Sequence, residues 1–587
     1  MMKKLLFFLC LFMTATYVQA VKVNPEPAVI TQSDGTQLTV YAYGDADCHW
    51  YTTADGVLLV HVGTNYYVAN VTADGALQSS KMLAHEPALR TVAEQRIIKA
   101  QDRQLFTKSM DTKLDALRRI SIANNSYFPH EGSPKALVIL VNFADSTFSL
   151  ADPVKSFNQY LNSTLENGSL ENFGNRENRN YGSVRSYFND MSFGQFTPQF
   201  DIVGPVTMPQ GLAYYGSNNG SIIDAKVGEM MSAACQQVDD EVNFADYDSD
   251  GNGYVDLVYF IYAGYSESFS QNSSDCIWPR SGTMTIGTFD GKQVSRYGVN
   301  NELNGYPGAF SKAPYKRING IGLFCHEFSH TMGLPDFYPI NTSAQVDNQA
   351  MEYWDLMDGG EYLDGGYCPT PYTPWEREVM GWMSLETLSE AQYVEMQPVQ
   401  NGGKAYKVLA DNGEYLILEN IQNHGWNLRQ YGHGLLVYRI DYPYTTVNFN
   451  DNPNNTKGKP AVTIVPADGL LISSYSIDGE TVTRDQYNSS HAGDPFPGTS
   501  GVTELTSVTL NESTLTTAPL YDIQEDTEAG IISFAFIDRQ YSSIQGITEK
   551  AQTNGNVYTL DGRYVGTSLN GLAKGIYVKD GKKIVIK

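Results

Sequence analysis

The stretch CHEFSHTMGLPDFY, Cys325 to Tyr338, restricts the fold more than any other part of the chain. His326 and His330 stand four apart, which on a helix puts both imidazoles on one face, roughly 6 Å apart at the backbone. Gly333 lets that helix end in a left-handed turn, and Pro335 forbids its continuation. Asp336 can then swing back over the face that carries the histidines. Any fold of this chain must therefore hold a helix that stops here and a chain that reverses across it. Two histidines and an aspartate leave a coordination place open, the pattern of a catalytic rather than a structural zinc. Glu327, beside the first histidine, can hold and deprotonate a metal-bound water. Glu352 and Glu361 downstream are the alternatives to Asp336 as third ligand. The chain has nine histidines, too few for this spacing to arise often by accident, so an ordinary polar helix is the weaker reading.

The flanking sequence predicts an α/β unit around this helix. KALVILVNFAD, from Lys135, is a continuous apolar run, as expected of a strand buried on both faces. Helical stretches follow at NYGSVRSYFNDMS and SIIDAKVGEMMSAACQQV, then a second strand, YVDLVYFIYAG, at Tyr254 to Gly264. After PTPYTPWEREVMGWM the texture turns β-rich and alternating, with YLILENIQ, GHGLLVYRID and GIISFAFID as strands. The fold class predicted is multidomain α+β, with five segments. These are a signal peptide at 1–20, a β-rich unit plus helical linker at 21–130, the α/β unit at 131–390, a β-rich, sandwich-like domain at 391–540 and a small hairpin module at 541–587.

The motif string, with YWDLMDGG downstream, resembles the metzincin-like zinc endopeptidases and, within them, the immune inhibitor A (M6) family of secreted metalloproteases. The likeness extends to NYGSVRSYFNDMSFGQFTPQFDIVGPV, NFADYDSDGNGYVD, PWEREVMGW, EYLILENIQNHGWN and GHGLLVYRID, so it covers about 135 to 500. It implies a metzincin-like α/β catalytic domain, zinc on His326, His330 and Asp336, Glu327 as general base, and Met357 in a tight turn beneath the metal. Cys325 departs from the pattern, standing where an apolar residue is expected; a small buried thiol packs equivalently. The tail, with GNVYTLDGRYV and KGIYVKDGKKIVIK, resembles the sorting modules that send exported proteins of Bacteroidetes-type bacteria through an outer-membrane secretion machinery.

Composition and the N-terminus point the same way. A net charge of −25 excludes a nucleic-acid partner, since a phosphate backbone needs a basic face. MMKKLLFFLCLFMTATYVQA has the lysines, apolar run and small residues of a secretory signal, and no later run is long enough to span a membrane. A secreted, extracellular or outer-membrane surface location follows. DYDSDGNGYVD makes Asp246, Asp248, Asp250 and Asp256 candidates for calcium, because alternate carboxylates converge on a hard cation; an Asx-rich turn is the competing reading. An exported protease needs a restraint on its activity, so residues 21–130 read as an inhibitory pro-segment. Cys48, as a thiolate, or Asp45 or Asp47, as carboxylates, could cap the zinc, with Arg118 and Arg119 as the release point. The function expected is cleavage of protein or peptide substrates by a zinc endopeptidase made as a latent zymogen. The competing class is an exported surface binding protein, a glycan or host-protein adhesin with structural metal sites. Tyr353, Trp354 and Tyr362 read either as cleft-lining aromatics or as core.

Overall fold

The computed structural model describes residues 17–20, 23, 27–44, 49–106, 109, 127–164, 180–219, 222–268, 276–305, 317–345, 351–410, 413–442, 451–471, 476–477, 480–481, 483–542, 555–560, 562–579 and 582–586. Strands Gln199–Thr207, Lys135–Asn142, Val258–Tyr262 and Lys292–Asn301 run parallel, in that order inward from one edge of a six-stranded sheet. The strand Arg280–Phe289 follows them antiparallel, and Tyr17–Ala20 pairs antiparallel with it at the sheet's edge. The expected signal segment thus supplies four residues of this sheet, Ala20 opposite Arg280 and Tyr17 opposite Thr283.

The apolar run at Lys135 behaves as its sequence requires. Val138 and Leu140 face one core, with the helix Ile321–Thr331, while Leu137, Ile139 and Val141 face another, with the helix Val227–Val238. A strand covered on both faces has no solvent side to mark with polar residues, hence its unbroken hydrophobicity.

The β-rich stretch after residue 390 departs from expectation. Alternation predicts one face in water, but every residue of Tyr415–Ile421 and Gly434–Ile440 is buried. One face, with Leu416, Leu418, Leu435 and Val437, closes on the strands Gln392–Met396, Leu520–Asp526 and Ile531–Phe536 in a sandwich-like layer. The other, with Ile417, Leu436, Tyr438 and Ile440, shares a single core with Phe328 of the site helix, Trp375 and Trp382. Among the described residues, one core thus includes side chains from both sides of residue 390.

The N-terminal unit is an antiparallel meander of six strands from Ala28 to Leu83. The helix Val92–Ala100 follows, opened by a capping box in which Thr91 and Glu94 satisfy each other's backbone N–H groups. The tail holds a four-stranded antiparallel sheet between Val557 and Ile586. Cys235, Cys325 and Cys368 are free thiols. Among the described residues no helix is long and apolar enough to cross a membrane.

Because Ile417 sits in the core that also carries the site helix, Ile417→Ala should cost about 2–5 kcal/mol. It should shift one common unfolding transition of the 135–540 region in a denaturant titration; a separate early transition of the β-rich part would contradict the shared core.

Candidate active site

All eleven residues of the helix Ile321–Thr331 are buried, including His326, Glu327 and His330 at 0% exposure. The helix ends as its sequence predicts. Gly333 adopts φ +108°, a region that side-chain-bearing residues avoid, and a Cβ there would lie 3.1 Å from the Tyr127 ring. Beyond Pro335 the chain turns back, and the Phe337 N–H donates to the Met357 carbonyl at 2.9 Å.

The decisive geometry lies in the hydrogen bonds behind the imidazoles. His326 Nδ1 is 2.8 Å from the Leu356 carbonyl, and His330 Nδ1 is 2.7 Å from the Leu334 carbonyl. A carbonyl only accepts, so each Nδ1 carries a proton, and in its neutral form each ring turns a bare Nε2 lone pair inward. Those two Nε2 atoms face each other at 3.1 Å. Asp336 Oδ1 completes the triangle, 3.2 Å from one and 3.3 Å from the other. Three lone-pair donors so close together repel one another unless a cation stands among them. Two imidazoles and a carboxylate suit zinc.

The alternative third ligands point elsewhere. Glu352 accepts a hydrogen bond from the Tyr487 hydroxyl at 2.7 Å. Glu361 lies 3.9 Å from His326 Nδ1, on the side of the ring away from Nε2. Met357 is fully buried in the turn, its N–H donating to Asp355 Oδ1 at 2.6 Å. Asp358 ties that turn down by accepting from the Met351 and Glu352 N–H groups at 3.0 and 2.8 Å. Sequence reasoning missed Ser281, whose hydroxyl donates to the Glu327 carbonyl at 2.5 Å and pins the helix to the strand Arg280–Phe289. A serine in a strand carries no sequence mark of such a contact.

Of the four calcium candidates, Asp248, Asp250 and Asp256 bring carboxylate oxygens within 4.8 Å of one another. Asp246 does not join them. It belongs to the 3₁₀ turn Phe244–Tyr247 and accepts from the Asn243 side chain at 2.8 Å, so the turn aims it away from the loop. The cluster also holds a cation of its own, for Lys292 Nζ donates to Asp248 at 2.6 Å and, first among its causes, lowers that carboxyl's pKa. Cys48, Asp45, Asp47, Arg118 and Arg119 lie outside the described residues. The strands that flank the first three do touch the walls of the site: Trp50 packs with Tyr338 and Ile340, Tyr51 with Trp278 and Leu323, and Tyr41 with Tyr353 and Leu363. Tyr353 and Trp354 are buried in the core, and the half-buried Tyr362 packs beside the clusters that hold Leu323 and Tyr353.

Residues 124–383 match the family described as immune inhibitor A peptidase M6, catalytic domain. Similar proteins include the pre-pro-metalloprotease PrtV of Vibrio cholerae serotype O1 (strain M66-2), 24% identical over 43% of this chain and 31% of the relative. Immune inhibitor A of Bacillus thuringiensis subsp. alesti is 25% identical over 42% of this chain and 39% of the relative. The chain thus spans well under half the length of these relatives. The M6 match takes in the whole of the site helix, the returning Asp336 and the Met357 turn.

Beneath the site, Glu419 and Glu376 are buried carboxyls, each pushed up to about 7 chiefly by desolvation. Glu419 accepts from the Tyr438 hydroxyl at 2.5 Å. The folded state therefore keeps a proton that the unfolded chain releases near pH 4.5. The stability this carries is fully present below that pH and is lost as pH rises to about 7, at about 1.4 kcal/mol per pH unit for each group. Glu419→Gln should remove one such slope, read as urea midpoints that differ less between pH 5 and pH 7 than those of the parent protein.

Proposed function

We propose that this chain is a metzincin-like, zinc-dependent endopeptidase of the M6 kind, exported as a latent precursor and acting on extracellular proteins. The observation that carries this reading is the triangle of unprotonated Nε2, Nε2 and Oδ1 atoms on His326, His330 and Asp336, with Glu327 on the same helix. Zinc bound there supplies a Lewis acid for the scissile carbonyl and a water acidified toward neutral pH.

The rest falls to the protein's own groups. Glu327 accepts the proton of the attacking water and passes it to the departing amine. Leu356 and Leu334 fix the tautomers of the two histidines through their carbonyls, keeping both Nε2 lone pairs inward. Ser281 holds Glu327 and the strand Arg280–Phe289 in register. That strand offers an extended peptide a backbone to pair with, a role supported by the antiparallel seating of Tyr17–Ala20 on it.

Latency is read from coverage. The site residues are buried, and the N-terminal unit packs on Leu323, Tyr338 and Tyr353 around them. Removal of residues up to about 130 would uncover the cleft. Calcium on Asp248, Asp250 and Asp256 would add a structural ion in competition with Lys292, and the 541–587 module would serve export through the secretion machinery.

Three measurements test this. Purified full-length protein should contain about one zinc per chain, and His330→Ala should lose it. Glu327→Ala should keep the zinc while casein cleavage by the processed form falls about 10³-fold or more; retained turnover at full occupancy would remove the proposed base. Proteolytic release of the N-terminal unit should coincide with the onset of casein cleavage, and activity in the intact chain would refute latency.

A further inference from the structure

His85 follows the last strand of the N-terminal meander, Leu77–Leu83, and stands between two carboxylates. Its Nδ1 is 3.0 Å from Glu94 Oε2, on the helix Val92–Ala100. Its Nε2 is 3.0 Å from Asp34 Oδ2, in the turn that joins the first two strands of the meander. The Glu94 side chain is 0% exposed and that of Asp34 35%. Both carboxylates are held in place by other donors. Asp34 Oδ1 accepts from the N–H and the hydroxyl of Thr36 at 3.0 and 2.7 Å, and Glu94 Oε1 accepts from the His85 N–H at 2.8 Å.

A carboxylate only accepts, so each of these contacts requires a proton on its ring nitrogen. A neutral imidazole has one N–H and would turn its other lone pair onto an oxygen; only the imidazolium satisfies both partners. Burial works to lower the His85 pKa, but the hydrogen bonds to Asp34 and Glu94, and then their charges, raise it from 6.5. The Asp34 carboxyl is in turn lowered to about 2, with His85 first among the causes. Two further charged groups stand nearby. Arg90, whose Nε donates to the His85 carbonyl at 3.0 Å, pairs with Asp55 at 2.6 Å, and Glu86 accepts from the Thr39 N–H at 2.7 Å. The folded unit thus holds the His85 proton more tightly than an opened one. The stability this supplies is fully present below pH 6.5 and is lost as pH rises through the raised folded value. Loss of the proton takes the imidazolium charge from beside a fully buried Glu94, which is costly. The helix that carries Glu94 reaches the site: Ile97 and Ile98 pack against the cluster that holds Leu323 of the site helix, and Phe106, just beyond, packs with Tyr338.

Resting on the latency reading above, we propose that His85 is a proton-controlled latch on the N-terminal unit. As the imidazolium it ties the helix Val92–Ala100 to the meander. On losing its proton it frees that helix to lift from the wall of the site, so the precursor opens more readily as pH rises past neutrality.

The test uses the full-length chain carrying Glu327→Ala, so that no turnover intervenes. With histidines labelled at Cε1, His85→Gln identifies the His85 NMR signal by removing it. That signal should titrate with a midpoint above 6.5, and Asp34→Asn should bring the midpoint down. Amide hydrogen exchange, corrected for its intrinsic pH dependence, reads the opening of the helix Val92–Ala100. Protection there should fall with rising pH, roughly tenfold for each pH unit by which the NMR midpoint exceeds 6.5. In His85→Gln it should be low already at about pH 6 and flat above it, while the strand Lys135–Asn142 responds alike in both proteins. A midpoint at or below 6.5, or helix protection in His85→Gln equal to that of the parent at about pH 6, would overturn the latch. With Glu327 present, His85→Gln should begin to cleave casein after a smaller dose of added activating protease than the parent needs at the same mildly acidic pH. Equal doses would overturn its control of opening. Casein cleavage by the untreated parent would refute latency itself, whereas the NMR and exchange readouts judge the His85 clamp separately.

Discussion

Two hydrogen bonds from histidine Nδ1 groups to main-chain carbonyls set everything else at the centre of this molecule. Because Leu356 and Leu334 can only accept, they place both protons on the outer side of the rings and leave two lone pairs and the Asp336 oxygen crowded together. Three such atoms stay together only with a cation among them or under restraint from the fold, and the surrounding structure provides that restraint. The carbonyls come from different segments, one from the methionine turn and one from the return after Gly333. The Phe337 N–H to Met357 carbonyl bond joins those segments to each other. The helix, its return and the turn beneath are thus one constrained unit, and loosening any of them would let a ring rotate and relieve the repulsion.

The surrounding core supplies the needed stiffness. The site helix is covered on every side: the central sheet lies on one flank and the strands Tyr415–Ile421 and Gly434–Ile440 on another. Close-packed interiors move little because each displacement opens a void or forces an overlap. The inner face of the β-rich region belongs to the same core as the site helix, so it stiffens the helix from that side.

The parts of this arrangement that sequence made legible are those fixed by local stereochemistry. The i, i+4 histidines, the left-handed Gly333, the barrier of Pro335 and the unbroken strand at Lys135 each follow from backbone geometry or from period alone, and the structure bears out each element. The choice among Asp336, Glu352 and Glu361 was open because spacing along the chain does not say which side of an imidazole a carboxylate meets. The alternating reading of residues 415–440 failed for a related reason: polar positions such as Glu419 and Asn420 look solvent-facing in a string, yet they lie buried against Tyr438 and the Met396 carbonyl. Asp246 looked like the first ligand of a calcium loop, but a 3₁₀ turn ends just after it and reverses its direction. Ser281 was invisible because its bond to the Glu327 carbonyl is a long-range contact that leaves no periodic trace.

The buried charges beneath the methionine turn show how such a site is kept specific without excessive cost. Arg377 is enclosed and donates to the carbonyls of Tyr372 and Met191 at 2.9 and 2.6 Å. The carboxyls of Glu376, Glu419 and Asp355 lie in the same interior, all with pKa values raised first by burial. Three ionised carboxylates around one guanidinium would leave a large uncompensated charge in a medium that solvates it poorly. Raised pKa values remove that charge by keeping protons on some of the carboxyls. An apolar filling of the same volume would be cheaper to bury, but it could not give the Met357 N–H the acceptor it finds in Asp355, nor cap the helix at Pro374 as Glu376 does with Thr373. The polar network therefore fixes the register of the turn, and through the Leu356 carbonyl that register fixes which nitrogen of His326 faces inward.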